Sequence, residues 1–253
     1  MNATRISAGI VGRAAEEALE PLFERLRAIA ATGMPLGAVP GLRPPGDGWA
    51  AVGELTVPPH DRLGELVGAV ERQWDAPAHV AAALWWKSFS YWSTLPAVLG
   101  WALNRRVPVP APDTTMVRTI AEEPRMQVAA TEFRVVTGDT GELGEVIAGT
   151  LLRDLHAPLI EALHALTRAG RRGLWGSVAE ALADPLIWFA DDLVDDPAAA
   201  ARALLDAVGE PVAGLVELPG PRRRTCCLWV TLPGREPCST CCVTGEGNAR
   251  AGS

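Results

Sequence analysis

All five cysteines of this chain fall between Cys226 and Cys242, close to the C-terminus of its 253 residues. Four of them are spaced C-C-x10-C-x2-C, and Cys242 follows directly after the fourth. No other feature constrains the chain so tightly. In a reducing compartment thiols stay reduced unless they hold a metal, so a cluster this dense raises the question of a metal at once.

Thiolates are soft ligands that select zinc, copper(I) or iron–sulfur clusters. The Cys238-x2-Cys241 unit suits chelation, because its turn aims two sulfurs and several backbone N–H groups at one centre. Four thiolates are also the number an iron–sulfur cluster requires. The adjacent pair Cys226-Cys227 is harder to place. Neighbouring residues of an extended strand face opposite sides, so the two cannot easily chelate one ion from regular structure. A centre with two irons relaxes that demand. Spacing alone leaves three readings open: an iron–sulfur site, a zinc knuckle that staples the C-terminus, and unligated or redox thiols.

The rest of the chain reads as a globular body. Apolar residues make up 48% and charged residues 21%, a balance that excludes wholesale disorder. A formal charge of −7 and a pI near 5.2 argue against nucleic acid as a partner, since phosphate binding needs a basic surface. Met1 to Phe23 lacks the basic and apolar regions of a secretory signal. The most apolar window, Val80 to Leu103, is interrupted by Lys87, Ser88, Ser90, Ser93, Thr94 and Pro96, so no transmembrane segment is expected. A cytoplasmic protein is the expectation.

Apolar periodicity predicts helices over Ser7 to Ala31 with a kink at Pro21, after Pro59, over Pro77 to Leu103, from Leu143 with a restart at Pro158, and over Trp175 to Val194. Asp196 and Pro197 form a cap and first position for a short helix ending at Val208. Thr115 to Ala121 and Met126 to Val136 read as strands. The fold class is therefore α+β, mainly helical with a small antiparallel sheet and a cysteine-rich C-terminal segment. The expected organisation is a body over 1–220, a cluster-binding segment over 221–243 and a mobile polar tail over 244–253. The chain has no GxGxxG, P-loop, HExxH or GxSxG motif, so nucleotide, zinc-protease and serine-hydrolase chemistry lack support. His156 and His164 lie two helical turns apart with no carboxylate to complete a metal set, and Asp191-Asp192 and Asp195-Asp196 read as solvated helix-end charges.

The run Arg223-Arg224-Thr225-Cys226-Cys227, followed after ten residues by Cys238-x2-Cys241, resembles the C-terminal signature of FhuF-type ferric siderophore reductases. Trp86-Lys87-Ser88-Phe89-Ser90-Tyr91 with Pro96 is similar to that family's aromatic helix. Leu174-Trp175-Gly176-Ser177 and Ile187-Trp188-Phe189 also sit where the family has comparable residues. The likeness spans residues 80–242, while Cys242 and the tail depart from the pattern.

The resemblance implies that Cys226, Cys227, Cys238 and Cys241 bind a [2Fe–2S] cluster serving as the catalytic electron carrier. It implies an oxidoreductase that reduces an Fe(III)-hydroxamate siderophore to Fe(II) and releases the iron. Ferric iron is hard and held tightly by hydroxamate oxygens; the softer ferrous ion is held less well. Such chemistry needs no general base and no nucleophile. It needs a one-electron carrier beside a pocket for a bulky chelate, supplied by an electron donor that is a ferredoxin, a flavoprotein or a thiol.

Lys87 is the chain's only lysine and sits within Leu84-Trp85-Trp86-Lys87-Ser88-Phe89-Ser90-Tyr91-Trp92. Trp86, Lys87 and Tyr91 are the expected substrate contacts, and Trp85 and Trp92 are expected in the core. Trp175, Arg223 and Arg224 are further candidates, the arginines either stabilising a reduced anionic cluster, docking an acidic donor, or forming a solvated run. Two other readings stand beside the reductase. One is a non-catalytic siderophore- or iron-binding protein whose zinc or cluster is structural. The other is a non-catalytic relative of the siderophore synthetases.

Overall fold

The computed structural model describes residues 9–41, 44, 46–120, 125–190 and 192–243. The expected mobile tail, the helix start at Ser7 and Asp191 lie outside the described residues. The fold is mixed α+β and mainly helical. Helices α1 (Arg13–Ala31), α2 (Val52–Leu55), α3 (Asp61–Trp74) and α4 (Ala78–Asn104) come first. After the strands follow α5 (Thr140–Val146), a π-helix (Ile147–His156), α6 (Ala157–Thr167), α7 (Arg171–Phe189) and α8 (Pro197–Val208). No helix among the described residues is long and apolar enough to cross a membrane.

The expected helices form, with shifted ends. Pro21 lies within α1 without ending it, and α6 carries its proline in the first turn, as the restart at Pro158 requires. Asp196 caps α8 by accepting from the Ala199 backbone N–H. Asp192 is exposed as expected, and Arg25 of α1 pairs with both of its carboxylate oxygens at the surface. Helix α7 stops at Phe189, short of Val194.

The strands are more divided than their sequence pattern. Strand β1 (Ala50–Ala51) pairs with β3 (Thr115–Ile120), which pairs with β4 (Arg125–Ala130), all antiparallel. Strand β2 (Arg106–Val109) pairs antiparallel with β5 (Arg134–Thr137) in a separate sheet. The run Met126 to Val136 is thus two strands in two sheets. The break falls at the exposed residues Thr131 and Glu132, and periodicity alone does not mark a change of partner. A third antiparallel pair joins β6 (Val216–Glu217) to β7 (Arg222–Arg223) at the entrance to the cysteine segment.

Helix α4 is the axis of the core. Trp85, Trp86, Phe89, Leu95, Leu99 and Trp101 are all buried on it, so it is apolar around most of its circumference, as a central helix must be. It packs along α7 and also against α3, β2 and β4. Helix α4 meets β2 so closely that a Cβ at Gly100 would stand 2.3 Å from the Arg106 carbonyl oxygen.

The π-helix brings His156 into this core, fully buried against Trp86 and Phe89. Its Nε2 lies 3.0 Å from Ser93 Oγ, while Nδ1 has no partner. The tautomer protonated on Nε2 leaves a bare lone pair rather than a bare N–H, and burial pushes the imidazole pKa down to about 3.

An unfolded histidine titrates near 6.5, so only the unfolded chain takes up a proton between that value and 3, and stability falls as pH falls through this window. His156 is expected to cost the native state about 2 kcal/mol at pH 5 relative to pH 7. Urea unfolding of wild type and His156→Gln across pH 5–8 checks this: the difference in stability between the two proteins shifts by about that amount, and a constant difference refutes it.

Candidate metal and substrate site

The cysteine segment is built onto α7 by close approach. A Cβ at Gly176 would lie 1.8 Å from Thr225 Oγ1, and one at Gly173 would lie 3.5 Å from the Cys226 carbonyl oxygen. Two glycines one turn apart thus open a groove in which the strand entering Cys226 can lie. Arg223 N–H donates to the Thr240 carbonyl at 2.9 Å, and Arg224 N–H donates to the Leu215 carbonyl at 2.9 Å. After Cys227, Leu228 adopts a left-handed backbone with φ 66° and turns the chain back on itself. One turn of 3₁₀-helix, Trp229–Thr231, follows.

Beneath this segment lies a buried ionic network centred on Glu180 of α7. Its carboxylate accepts from Lys87 Nζ of α4 at 3.1 Å, from Arg223 of β7 at 3.3 Å and from the Thr240 hydroxyl. Arg223 is buried, and it also donates to the Gly173 carbonyl at 3.0 Å and to Thr225 Oγ1. One turn along both helices, the Tyr91 hydroxyl donates to Asp184 at 2.9 Å and Trp188 Nε1 donates to the same carboxylate at 3.1 Å. Burial raises the Asp184 carboxyl to about 6, against the opposing pull of its two donors.

The sulfurs meet in pairs. Cys227 Sγ and Cys238 Sγ are 3.7 Å apart, which matches the edge of about 3.8 Å expected for a tetrahedral centre with metal–sulfur bonds of about 2.3 Å. The Cys227 thiol donating to Cys238 is the main cause holding Cys238 down to about 5, with Lys87 and Thr240 adding to it against burial. The same bond, then burial, pushes Cys227 up. Lys87 stays above its ordinary range although burial opposes it, because Glu180 and the thiols of Cys227 and Cys238 favour its charge.

Cys226, the neighbour of Cys227, turns to a different partner. It interacts with Cys242, whose thiol is raised by burial and then by Cys226 and Cys241. Backbone N–H groups point at two sulfurs: Leu228 N–H at Cys226, 3.3 Å, and Val243 N–H at Cys241, 3.4 Å. Among the described residues, no three cysteine, histidine or acidic side chains converge as a site for one ion. The donors are thus soft and sufficient in number for a thiolate-held metal centre, and Cys227 with Cys238 is spaced as two ligands of one metal.

A cleft of about 260 Å³ opens beside the first pair. Cys238, Lys87 and Ser88 line it, together with Trp74, Trp85, Trp229, Gln73 and Met126. Trp74 from α3 and Trp229 from the cysteine segment meet edge to face, with centroids 5.1 Å apart. The Arg235 guanidinium covers both rings, 4.5 Å and 4.9 Å from their centroids.

Of the residues expected to touch substrate, only Lys87 lines this cleft. Trp86 is fully buried and donates its indole N–H to the Leu174 carbonyl at 2.8 Å, so it offers no surface to a ligand. Tyr91 is committed to Asp184 one turn away, and Arg223 is committed to Glu180. Trp175 borders a different cavity with Arg172 and Pro211, and Arg224 is exposed and paired with Glu217. The arginine run is therefore not uniformly solvated, because strand alternation buries its middle member. Trp85 packs in the core as expected, yet one edge reaches the cleft.

Sequence reading passed over Trp74, Trp229, Arg235 and Glu180. Glu180 was detectable, as an acid flanked by Val178, Ala179, Ala181 and Leu182 in a largely apolar helix and hence a member of a buried pair. The aromatic wall was not, since it joins residues over 150 positions apart.

Removing Glu180 leaves two cations facing each other without their shared counter-charge. Glu180→Ala is expected to destabilise the fold by about 3–5 kcal/mol, against less than about 1 kcal/mol for Glu217→Ala at the exposed pair. Urea unfolding of the two variants side by side measures the contrast, and equal losses refute the central role of Glu180.

No protein-family model matches this chain, and no curated protein matches it. Among solved structures it is similar to ATP-bound aerobactin synthetase IucA from Klebsiella pneumoniae, at 17% identity and a TM-score of 0.42. The overlap covers 56% of this chain and 30% of the synthetase, a likeness too shallow to carry any activity across.

Proposed function

We propose that this chain is a ferric siderophore reductase in which Cys226, Cys227, Cys238 and Cys241 hold a [2Fe–2S] cluster beside the indole-walled cleft. The observation that carries the reading is the position of Cys238. Its sulfur is at once half of a 3.7 Å thiol pair and part of the wall of a cleft that also presents Lys87 and two exposed indole surfaces. A sulfur ligand in the wall puts a cysteine-bound centre within contact of whatever fills the cleft.

When bound, the cluster supplies one electron at a time. The chain's own residues do the remainder. The tryptophans of the cleft offer apolar faces to the arms of a chelate, and Lys87 offers a cation to its oxygens. Glu180 holds Lys87 in place and offsets its charge. The N–H groups of Leu228 and Val243, with the Lys87 ammonium, compensate negative charge on the sulfurs. Substrate Fe(III) gains one electron and becomes Fe(II), which hydroxamate oxygens hold less tightly, and the electron is replaced by a ferredoxin, a flavoprotein or a thiol. The Cys227–Cys238 pair, spaced as two ligands of one metal, supports a thiolate-held centre, and Cys242, which interacts with Cys226 and follows Cys241 in sequence, is the rival for the fourth ligand.

Protein isolated without oxygen is expected to carry two irons and two acid-labile sulfides per chain and to show visible absorption that bleaches on reduction. Cys227→Ser is expected to lose that absorption. Stopped-flow reoxidation of the reduced protein is expected to run faster with a ferric trihydroxamate than with ferric citrate. Colourless protein with one zinc per chain, before and after reconstitution, overturns the reading in favour of a structural site.

A further inference from the structure

We infer that the cleft holds one bidentate arm of the chelate rather than the whole of it, and that Trp74, Trp229 and Arg235 are the residues that grip this arm. The inference rests on the reductase reading for the identity of its ligand, and on three observations for its geometry.

The first is size. At about 260 Å³ the cleft falls below the roughly 300–1,000 Å³ of pockets that enclose drug-sized ligands. A trihydroxamate, with three arms wrapped around one iron, is larger than that. Only one arm and its linker fit, and the rest of the chelate stays in solvent.

The second is the shape of the wall. Trp74 and Trp229 stand at 84° to one another, so a ligand lying in the corner meets a ring face on one side and a ring edge on the other. That corner suits a slim methylene linker carrying an amide-like group.

The third is charge. Lys87 already shares its charge with buried Glu180. Arg235 is exposed, its guanidinium carbon stands 4.5 Å and 4.9 Å from the centroids of the two indoles, and among the described residues no carboxylate pairs with it. A guanidinium bound by its face keeps its N–H edge available for oxygen acceptors. Arg235 does not itself line the cleft but rests on Trp74 and Trp229, which do, and so adds an exposed cation with hydrogen-bonding capacity behind that wall, while Cys238 marks the end of the cleft nearest the sulfurs.

Recognition of one arm has a consequence for specificity. Linear and cyclic trihydroxamates present the same arm, so the cleft is blind to how the arms are joined.

The experiment uses the full chain and gallium(III) complexes of one linear and one cyclic trihydroxamate, which copy the ferric complexes but accept no electron. Binding is followed by calorimetry. The two complexes are expected to bind within about threefold of each other, and Arg235→Ala and Trp74→Leu are each expected to weaken both by about tenfold or more. A preference above tenfold for one architecture overturns the inference, as does unchanged affinity in both variants or a lack of binding to wild type. Iron, sulfide and the visible spectrum are measured on the same samples. Cluster-bearing, active protein whose binding ignores Arg235 overturns this inference alone; protein without a cluster that still binds through Arg235 overturns the reductase reading alone.

Discussion

The carboxylate of Glu180 is the constraint on which the C-terminal half of the molecule depends. It sits on α7, is almost wholly buried, and accepts from α4 through Lys87, from β7 through Arg223 and from the cysteine turn through Thr240. A buried ion pair is weak evidence for stability, because its desolvation offsets much of its attraction. Its effect here is positional. Three segments distant in sequence are fixed to one pair of oxygens, and the geometry of each is set by the other two.

From that anchor the site follows. Lys87 cannot leave Glu180 without burying an unpaired charge, so its ammonium stays beside Cys227 and Cys238. Arg223 draws β7 onto α7, and the glycines at 173 and 176 give that strand room to lie there. Cys226 and Cys227 follow the strand after a bend, Cys227 meeting Cys238 and Cys226 interacting with Cys242. The one lysine in a chain otherwise provided with arginine is therefore where a compact cation is needed, next to sulfur and within a tight carboxylate contact.

Much of this was legible beforehand, and the boundary of legibility has physical causes. The helices announced themselves because apolar periodicity and capping residues such as Asp196 are local. The cysteine spacing marked the candidate ligands, since chelation rules act over short separations, and the structure brings Cys227 to Cys238. The aromatic helix was read correctly as important and incorrectly in detail. Trp86 and Trp85 are adjacent and alike in sequence, yet one is sealed beneath Leu174 and the other has an edge on the cleft. That difference comes from which way α7 packs on α4, and no local pattern encodes it. Trp74 was visible only as the last apolar residue of α3, and Trp229 only as a residue between cysteines. Their meeting is purely tertiary, as is the division of residues 126–136 between two sheets.

The ten-residue spacer between the cysteine pairs does two things at once. Its ends bring Cys227 to Cys238, and its middle delivers Trp229 and Arg235 onto Trp74. The spacer is accordingly a molecular ruler with both graduations in use. Lengthening or shortening it would have to misalign either sulfur with sulfur or indole with indole, so in descendants of this chain the spacer side chains other than Trp229 and Arg235 are free to drift while its count of residues is not.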